Sequence, residues 1–303
     1  MSARADLKSV GELRRFLLET HPVRGHHVRL GDAWRELRIR HAYPPPVERL
    51  LGEAVTAVAL LAATLKFEGK LTLQMAGTGW VRMLVAQCTH EFAIRATATH
   101  SDTVPDESAF AELVGDGRLV VTIDSDHSSA RYQGIVPLSG GSVAACLQAY
   151  FEQSEQLPTR LLLHTLGRDS AGLLLQKLPA ASEGEAQGAV TQSAWEDLQL
   201  ALADTSTSDL LLPSETLLRQ LCGPHDCRLF GGDEISFHCG CSRERVGGLL
   251  RSLGINEARA ALQAAGYATI TCEFCRQEYA FDAIQVEQLF VAPDSRAESQ
   301  RPS

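Results

Sequence analysis

Two close pairs of cysteines near the C-terminal end constrain this chain more than any other feature. The segments HCGCS and TCEFC place Cys239 beside Cys241 and Cys272 beside Cys275, with thirty residues between the pairs. Tetrahedral zinc takes four soft ligands at ~2.3 Å, which puts neighbouring sulfurs ~3.8 Å apart, so each pair can supply one edge of the tetrahedron. The sequence therefore predicts one zinc ion held by four thiolates, in a small module that folds around its metal.

The residues between the two pairs predict two helices. Ser242 is a suitable N-cap for RERVGGLLRSLG, and Asn256 is a suitable N-cap for EARAALQAAG. These helices are expected to pack together as a lid within the zinc module.

The other four cysteines receive a different interpretation. Cys88 and Cys146 stand alone and are predicted to be small buried hydrophobic residues. Cys222 and Cys227 flank Gly-Pro-His-Asp at a looser spacing than the two close pairs. We interpret Cys222 and Cys227 as accessory and not as metal ligands.

Histidines are not predicted as metal ligands. His225 and His238 could compete for the metal, but four thiolates already satisfy it. His26 and His27 are adjacent on a predicted strand and so face opposite sides of a sheet, which makes it difficult for them to share an ion.

Other functions remain open on the cysteine pattern alone. The zinc site could be purely structural, or Cys272 and Cys275 could act as a thiol-disulfide oxidoreductase pair, although no βαβ pattern surrounds them. A zinc-ribbon nucleic-acid binder would need basic residues, yet the chain has 37 acidic against 28 basic residues and no lysine after Lys177. No G-x-S-x-G, H-E-x-x-H or phosphate-loop motif is present, so neither an enzyme nor a nucleic-acid partner is expected.

Residues 1–178 predict an α+β core domain with a largely antiparallel sheet and long helices. Apolar residues recur at three- and four-residue intervals over 47–65 and predict a long amphipathic helix. Alternating segments over 71–138 predict strands, followed by a second helix near 142–155 and two closing strands within 159–177.

Residues 179–232 predict an acidic, amphipathic helical linker. Ser193 and Glu196 have the spacing of a capping box at the start of a helix, and a second short helix is predicted around 217–221. The apolar residues of the first linker helix are Trp195, Leu198, Leu200 and Leu202.

The remaining residues divide into a zinc-binding domain and a tail. The zinc domain is expected over 233–292, and 293–303 is expected to be disordered because it is small, polar and terminal. The apolar stretches fall short of the ~20 residues that a bilayer span requires, and no signal peptide is recognised, so we expect a cytoplasmic protein without a membrane partner.

Several segments resemble the Hsp33 family of redox-regulated heat-shock chaperones. They are YP with LLGEAV and ATLKFEG in the predicted long helix, RYQGIV, AACLQAYFEQSEQLPTRL, and CSRERV at the first cysteine pair. Together with C-x-C and C-x-x-C about thirty residues apart, they extend the resemblance through nearly the whole chain.

The resemblance implies a holdase that binds unfolded or partly folded client proteins and forms a homodimer when oxidation activates it. Cys239, Cys241, Cys272 and Cys275 correspond to the zinc ligands and redox-active thiols. The core corresponds to 1–178 and the metastable linker to 179–232. Cys222 and Cys227 depart from the family pattern.

The expected mechanism follows from thiol chemistry. Oxidation is predicted to join Cys239 to Cys241 and Cys272 to Cys275, because each pair shares an edge of the metal tetrahedron. The disulfides leave too few thiolates for zinc, so the module should unfold and remove the surface on which the linker packs. The client-binding residues exposed in this way are expected to be Trp195, Leu198, Leu200 and Leu202.

Overall fold

The computed structural model describes residues 10–127, 131–179 and 185–291. The chain forms two compact units, residues 1–238 and residues 239–303. The predicted disordered tail, 293–303, lies outside the described residues.

The described residues contain twelve strands. Their bounds are β1 Gly11–Leu18, β2 Val23–Arg29, β3 Gly69–Gly77, β4 Val81–Thr89, β5 Ala93–His100, β6 Gly117–Ser125, β7 Arg131–Pro137, β8 Thr159–Leu166, β9 Asp169–Lys177, β10 Cys227–Phe237, β11 Ala268–Thr271 and β12 Glu278–Phe281. The first ten belong to the first unit and the last two form a hairpin in the second.

Nine α-helices accompany the strands in the same described ranges. Their bounds are α1 Gly31–Arg38, α2 Pro45–Thr64, α3 Phe110–Val114, α4 Val143–Gln153, α5 Glu185–Asp204, α6 Ser214–Cys222, α7 Arg243–Leu253, α8 Ile255–Ala265 and α9 Ala283–Phe290. A short 3₁₀ helix, Asp209–Leu211, lies between α5 and α6. The predicted α+β class is confirmed.

The first unit contains one mixed sheet. Its strand order is β7-β6-β3-β4-β5-β10-β1-β2-β9-β8. All pairings of these strands are antiparallel except a short parallel contact between β10 and β5, where Ser236 pairs with Ala93 and Phe237 with Ile94. Along β3, buried and partly exposed residues alternate because successive side chains point to opposite faces. The prediction of a largely antiparallel sheet is therefore confirmed.

Helix α2 forms the centre of the first unit. Two prolines, Pro45 and Pro46, occupy its first turn. Backbone N–H groups in the first turn make no hydrogen bond within the helix, so proline's lack of an N–H costs nothing there. The helix is buried on most of its surface rather than on one stripe, which differs from the predicted amphipathic helix. Six strands contact it, and small residues allow close approach, since a Cβ at Gly52 would collide with the Thr165 side chain.

The linker helices pack on the sheet of the first unit. Trp195 and Leu198 of α5 are buried together with Leu217 of α6, against strand residues that include Phe16 and Leu173. Trp195 and Leu198, two of the four predicted client-binding residues, are therefore covered by β1, β2 and β9 within the first unit. The sequence analysis predicted instead that the zinc module covers them.

The predicted start of the first linker helix was wrong. Helix α5 begins at Glu185, eight residues before the predicted cap Ser193, which lies exposed within the helix. The segment Glu185-Ala186-Gln187 contains good helix formers, so the small and polar composition does not interrupt the helix.

Leu200 also differs from its predicted role. Its side chain is 68% exposed, while Leu198 is fully buried and Leu202 is partly buried. Residues four apart share a helix face, so Leu198 and Leu202 face the sheet and Leu200 points away from it.

A buried histidine anchors the linker to the sheet. His27 of β2 donates from Nε2 to the Leu210 carbonyl oxygen at 2.9 Å, and its Nδ1 accepts from the Ser214 hydroxyl at 2.8 Å. The adjacent His26 contacts the Ala63 backbone at the end of α2. The two imidazoles therefore lie on opposite faces of β2, as predicted.

The boundary between the two units falls later than the predicted position 233. Asp233 lies within β10 and pairs with Leu13 of β1, so the segment around it belongs to the sheet. The structural division follows His238, immediately before the first cysteine pair.

The second unit has a small apolar core. Helices α7, α8 and α9 pack with the β11–β12 hairpin around six buried residues: Val246, Leu250, Ala258, Ala268, Phe281 and Val286. The Ser242 hydroxyl accepts a hydrogen bond from the Arg245 N–H and caps α7, as predicted. Helix α8 begins at Ile255 after Gly254, so the predicted cap Asn256 lies inside its first turn.

Candidate metal centre

The first cysteine pair lies in the loop that leads into α7. Cys239 and Cys241 are both partly buried, and the cap at Ser242 fixes the start of α7 directly after them. Arg245 donates to the Gly240 carbonyl oxygen and ties the loop to the first turn of the helix. The loop therefore holds both thiols next to a rigid element.

The second pair lies in the turn between β11 and β12. The Cys272 N–H donates to the Gln277 carbonyl oxygen at 2.9 Å, and the Arg276 N–H donates to the Cys272 carbonyl oxygen at 2.8 Å. Arg276 has φ of 59°, a left-handed conformation that closes the turn. This turn brings Cys272 and Cys275 to one end of the hairpin.

The four thiols converge. The Sγ atoms of Cys239 and Cys272 are 3.7 Å apart, and those of Cys241 and Cys275 are 3.3 Å apart. All four sulfurs lie within 4.8 Å of one another. Among the described residues, this is the only such group of three or more His, Cys, Asp or Glu side chains.

A tyrosine that the sequence analysis missed completes the site. The Tyr279 hydroxyl donates to Cys241 Sγ at 3.1 Å. Burial opposes ionisation of Cys241, but hydrogen bonds from Tyr279 and the neighbouring thiols outweigh it and lower its pKa to about 7. Burial raises the pKa of Cys275 to about 12. No spacing rule links Tyr279 to the cysteines; only the β11–β12 pairing brings it there.

The donor set is suited to a soft metal ion. Sulfurs at the corners of a ZnS₄ tetrahedron are ~3.8 Å apart, close to the two measured separations of 3.7 and 3.3 Å. Both short distances join a sulfur of the first cysteine pair to a sulfur of the second pair. The distances between sulfurs therefore do not by themselves favour the predicted disulfides, which lie within each pair. Four converging cysteines define a candidate metal site.

Among the described residues, no histidine and no further cysteine belongs to the four-cysteine group. Cys88 and Cys146 are buried, as predicted, and burial raises the pKa of Cys88 to about 12. His225 Nε2 contacts Asp197 at 3.2 Å, and the His238 backbone N–H donates to the Ile94 carbonyl oxygen at 3.1 Å.

Comparison with known proteins identifies the class. The model of the Hsp33 protein family matches residues 11–282. The proteins of Methylobacillus flagellatus and Azotobacter vinelandii named 33 kDa chaperonin are 42% and 43% identical to this chain; the alignments cover 92% and 94% of it and 94% and 96% of those proteins. The crystal structure of the Thermotoga maritima 33 kDa chaperonin has 25% identity and a TM-score of 0.81, covering 92% of this chain and 97% of that one.

These relatives define a class of chaperones, not enzymes. The chain belongs to the Hsp33 family. Family membership supports binding of client proteins, in agreement with the sequence analysis. None of the described helices combines the length and apolar character needed to cross a membrane.

Proposed function

We propose that this protein is a redox-regulated holdase that binds unfolding proteins and prevents their aggregation during oxidative stress. The observation that carries the proposal is the convergence of four cysteine sulfurs within 4.8 Å in a unit with a small apolar core. Such a unit depends on its metal for folding free energy, so the thiols can control whether it is folded.

In the reduced protein, Cys239, Cys241, Cys272 and Cys275 would hold one zinc ion. The ion would keep the four thiols deprotonated and join the two loops, which contributes on the order of 10–16 kcal/mol of folding free energy. Tyr279 supports this arrangement by donating a hydrogen bond to Cys241 Sγ.

Oxidation would convert the thiolates to disulfides. A peroxide or hypochlorous acid oxidises one cysteine to a sulfenic acid, and a neighbouring thiol displaces its oxygen to form the S–S bond. We keep the pairing of Cys239 with Cys241 and of Cys272 with Cys275 as a proposal. Zinc then lacks its ligands, and the second unit unfolds.

The linker would provide the client-binding surface. Trp195 and Leu198 lie buried on the sheet, and the strand β10 that follows α6 leads directly into Cys239. We propose that unfolding of the second unit loosens this segment and exposes Trp195, Leu198 and Leu202, which then bind apolar segments of clients. Leu200 is already exposed before activation and points away from this face, so it is not part of the proposed client-binding surface.

Two further features of the proposal rest on the family resemblance. The cytoplasm, a reducing compartment, would keep the thiols available for zinc until oxidants accumulate. The oxidised form would act as a homodimer.

A charge on the buried face of the linker tests the proposal. Leu198→Glu places a carboxylate where the side chain is fully buried, so α5 should leave the sheet without any oxidant. Leu200→Glu is the matched control, since Leu200 is already 68% exposed. Light scattering of a heat-unfolding client is measured in excess reductant, with zinc content determined in parallel.

The two variants should separate clearly. Leu198→Glu is expected to retain one equivalent of zinc and to suppress client aggregation while fully reduced; Leu200→Glu should remain inactive until oxidised. Leu202→Glu, at a partly buried position, gives a milder version of the same test. If all three variants need oxidation, the disulfides themselves build the client site and the linker proposal is wrong.

A further inference from the structure

The turn between α6 and β10 brings Cys222 and Cys227 together. Gly223, with φ of 54°, ends α6, and the His225 N–H donates to the Cys222 carbonyl oxygen at 3.0 Å. Cys227 begins β10 and pairs with Leu18 of β1. Cys222 therefore belongs to the linker helix, while Cys227 belongs to the sheet.

The two thiols are neighbours in the fold but differ in exposure. Cys227 packs against the apolar cluster in which Cys222 is buried. Cys222 is 3% exposed and packs with the apolar residues of α6, whereas Cys227 is partly buried. Both line an open cleft of about 370 Å³ whose wall also includes Glu215, Arg219 and Asp226. A small oxidant can therefore reach the pair from solvent.

The two sulfurs are chemically unequal. Interaction with the Cys222 thiol lowers the pKa of Cys227 despite its burial. The Cys227 thiol, together with burial, raises the pKa of Cys222. Because Cys227 is also the more exposed of the two thiols, it is positioned as the nucleophile and Cys222 as its resolving partner.

We propose that Cys222 and Cys227 are a second redox-active thiol pair, which a peroxide converts into a disulfide that ties the end of α6 to the start of β10. This site lies within the first unit and uses none of the four cysteines of the candidate metal centre. It does not depend on the proposed chaperone function.

The reaction balances with hydrogen peroxide as oxidant. The Cys227 thiolate attacks one peroxide oxygen, the O–O bond breaks, and hydroxide leaves with a sulfenic acid on Cys227. The Cys222 sulfur then attacks the Cys227 sulfur; an S–S bond forms, the S–O bond breaks, and the departing hydroxide takes the Cys222 proton as water. The hydroxide from the first step takes up the proton that Cys227 released on ionising. The two sulfurs lose two electrons, and one peroxide becomes two waters.

The disulfide between Cys222 and Cys227 would stabilise its surroundings, whereas oxidation at the metal centre would destabilise the second unit. Loss of metal thiolates removes the ligands that hold the second unit together, whereas a bond between Cys222 and Cys227 adds a covalent link between the linker and a central strand. An oxidised chain would therefore keep the end of α6 fixed beside β10.

Peptide mapping tests the pair directly, because trypsin separates the three cysteine pairs. Cleavage after arginine places Cys222 and Cys227 in peptide 220–228, the first metal pair in 229–243 and the second in 260–276. Zinc-loaded, reduced full-length protein is treated with hydrogen peroxide, alkylated under denaturing conditions and digested without reductant. Buried Cys88, in peptide 83–95, serves as the internal reference thiol.

The proposal predicts that most of peptide 220–228 becomes unalkylated and lighter by two hydrogen atoms, while Cys88 remains alkylated. Oxidised wild-type protein should also resist tryptic cleavage at Arg219 better than oxidised Cys222→Ser. If 220–228 keeps two alkylated thiols while the metal-centre peptides lose theirs, this inference is overturned and the metal centre is unaffected. Crosslinks from Cys222 or Cys227 to other peptides would overturn it as well.

Discussion

The two compact units of this chain are held together by different means. The first unit buries a long helix, α2, against six strands, and its largest fully buried side chains include Trp34 and Leu51. The second unit has six buried apolar residues and four cysteines that converge within 4.8 Å. An apolar core persists when thiols are oxidised, whereas a thiolate site does not. Under the proposed function, oxidation of the metal-centre thiols therefore unfolds the second unit and leaves the core of the first unit folded.

The linker helices α5 and α6 belong structurally to the first unit but contribute a separate cluster. Trp195 and Leu198 pack on β1, β2 and β9, apart from the cluster around α2. A smaller cluster with its own buried contacts can open while the main core remains closed. This separation supports the proposal that the linker leaves the sheet on activation while the main core stays folded.

Loss of the metal ligands should produce the largest difference between the units. Cys241→Ser combined with Cys275→Ser leaves two thiolates. The second unit should therefore lose the folding free energy that a structural zinc contributes, which is on the order of 10–16 kcal/mol. We expect amide hydrogen exchange over 239–291 to rise to unfolded rates, while strands β3 and β4 stay protected. Bound zinc should fall below half an equivalent.

A cysteine outside the site provides the control for this double variant. Cys227→Ser changes a partly buried thiol of the first unit and should leave zinc binding and exchange over 239–291 unchanged. Full zinc binding by the double variant would contradict the four-thiolate assignment.

Truncation in the linker should have the next largest effect. Leu198→Ala removes a fully buried side chain and should destabilise the first unit by about 2–5 kcal/mol, whereas Leu200→Ala should stay within about 0.5 kcal/mol. All three tryptophans lie in the first unit, so urea unfolding followed by tryptophan fluorescence reports on it alone. Equal losses for the two variants would mean that α5 does not pack on the sheet through Leu198.

Acid should weaken the first unit through its buried histidines. Burial lowers the pKa of His27 to about 4, below the unfolded value of about 6.5, so the folded state holds the neutral form. Its contribution, about 3 kcal/mol, is complete above pH ~6.5 and is lost as pH falls towards ~4, because the unfolded chain takes up the proton first. His26, whose pKa burial lowers to about 3, acts in the same direction.

The pH effect can be assigned with one substitution. His27→Gln should lower stability at pH 7.5 and flatten its dependence between pH 6.5 and 5, again by tryptophan fluorescence. Leu200→Ala, at an exposed position, is the control and should retain the wild-type slope. An unchanged slope in His27→Gln would show that His27 does not control this dependence.

Local patterns predicted most of the sheet and helices of the first unit. Period-two segments and the Ser142 cap identified β3 to β9 and α4 because their signals lie within a few residues. Strand β1 was missed because its charged residues Arg14 and Arg15 obscure the alternation. The role of β10 was missed because its partner, β1, is more than 200 residues away in sequence.

Sequence spacing likewise predicted the local part of the candidate site but not its long-range contacts. The C-x-C and C-x-x-C spacing identified all four thiols, since each pair is a local motif. The Tyr279 hydrogen bond and the His27–Ser214 contact depend on strand pairing and helix packing, which sequence spacing does not specify. The face on which α5 packs required the structure for the same reason.

Hydrogen exchange of the oxidised protein tests the central claim most directly. Full-length, zinc-loaded protein is treated with hydrogen peroxide under conditions that release zinc, and exchange is measured together with client aggregation. The account predicts that 239–291 and the Leu198 region of α5 both lose protection, while α2 and β3 keep it and aggregation is suppressed. Suppressed aggregation with α5 still fully protected would contradict it.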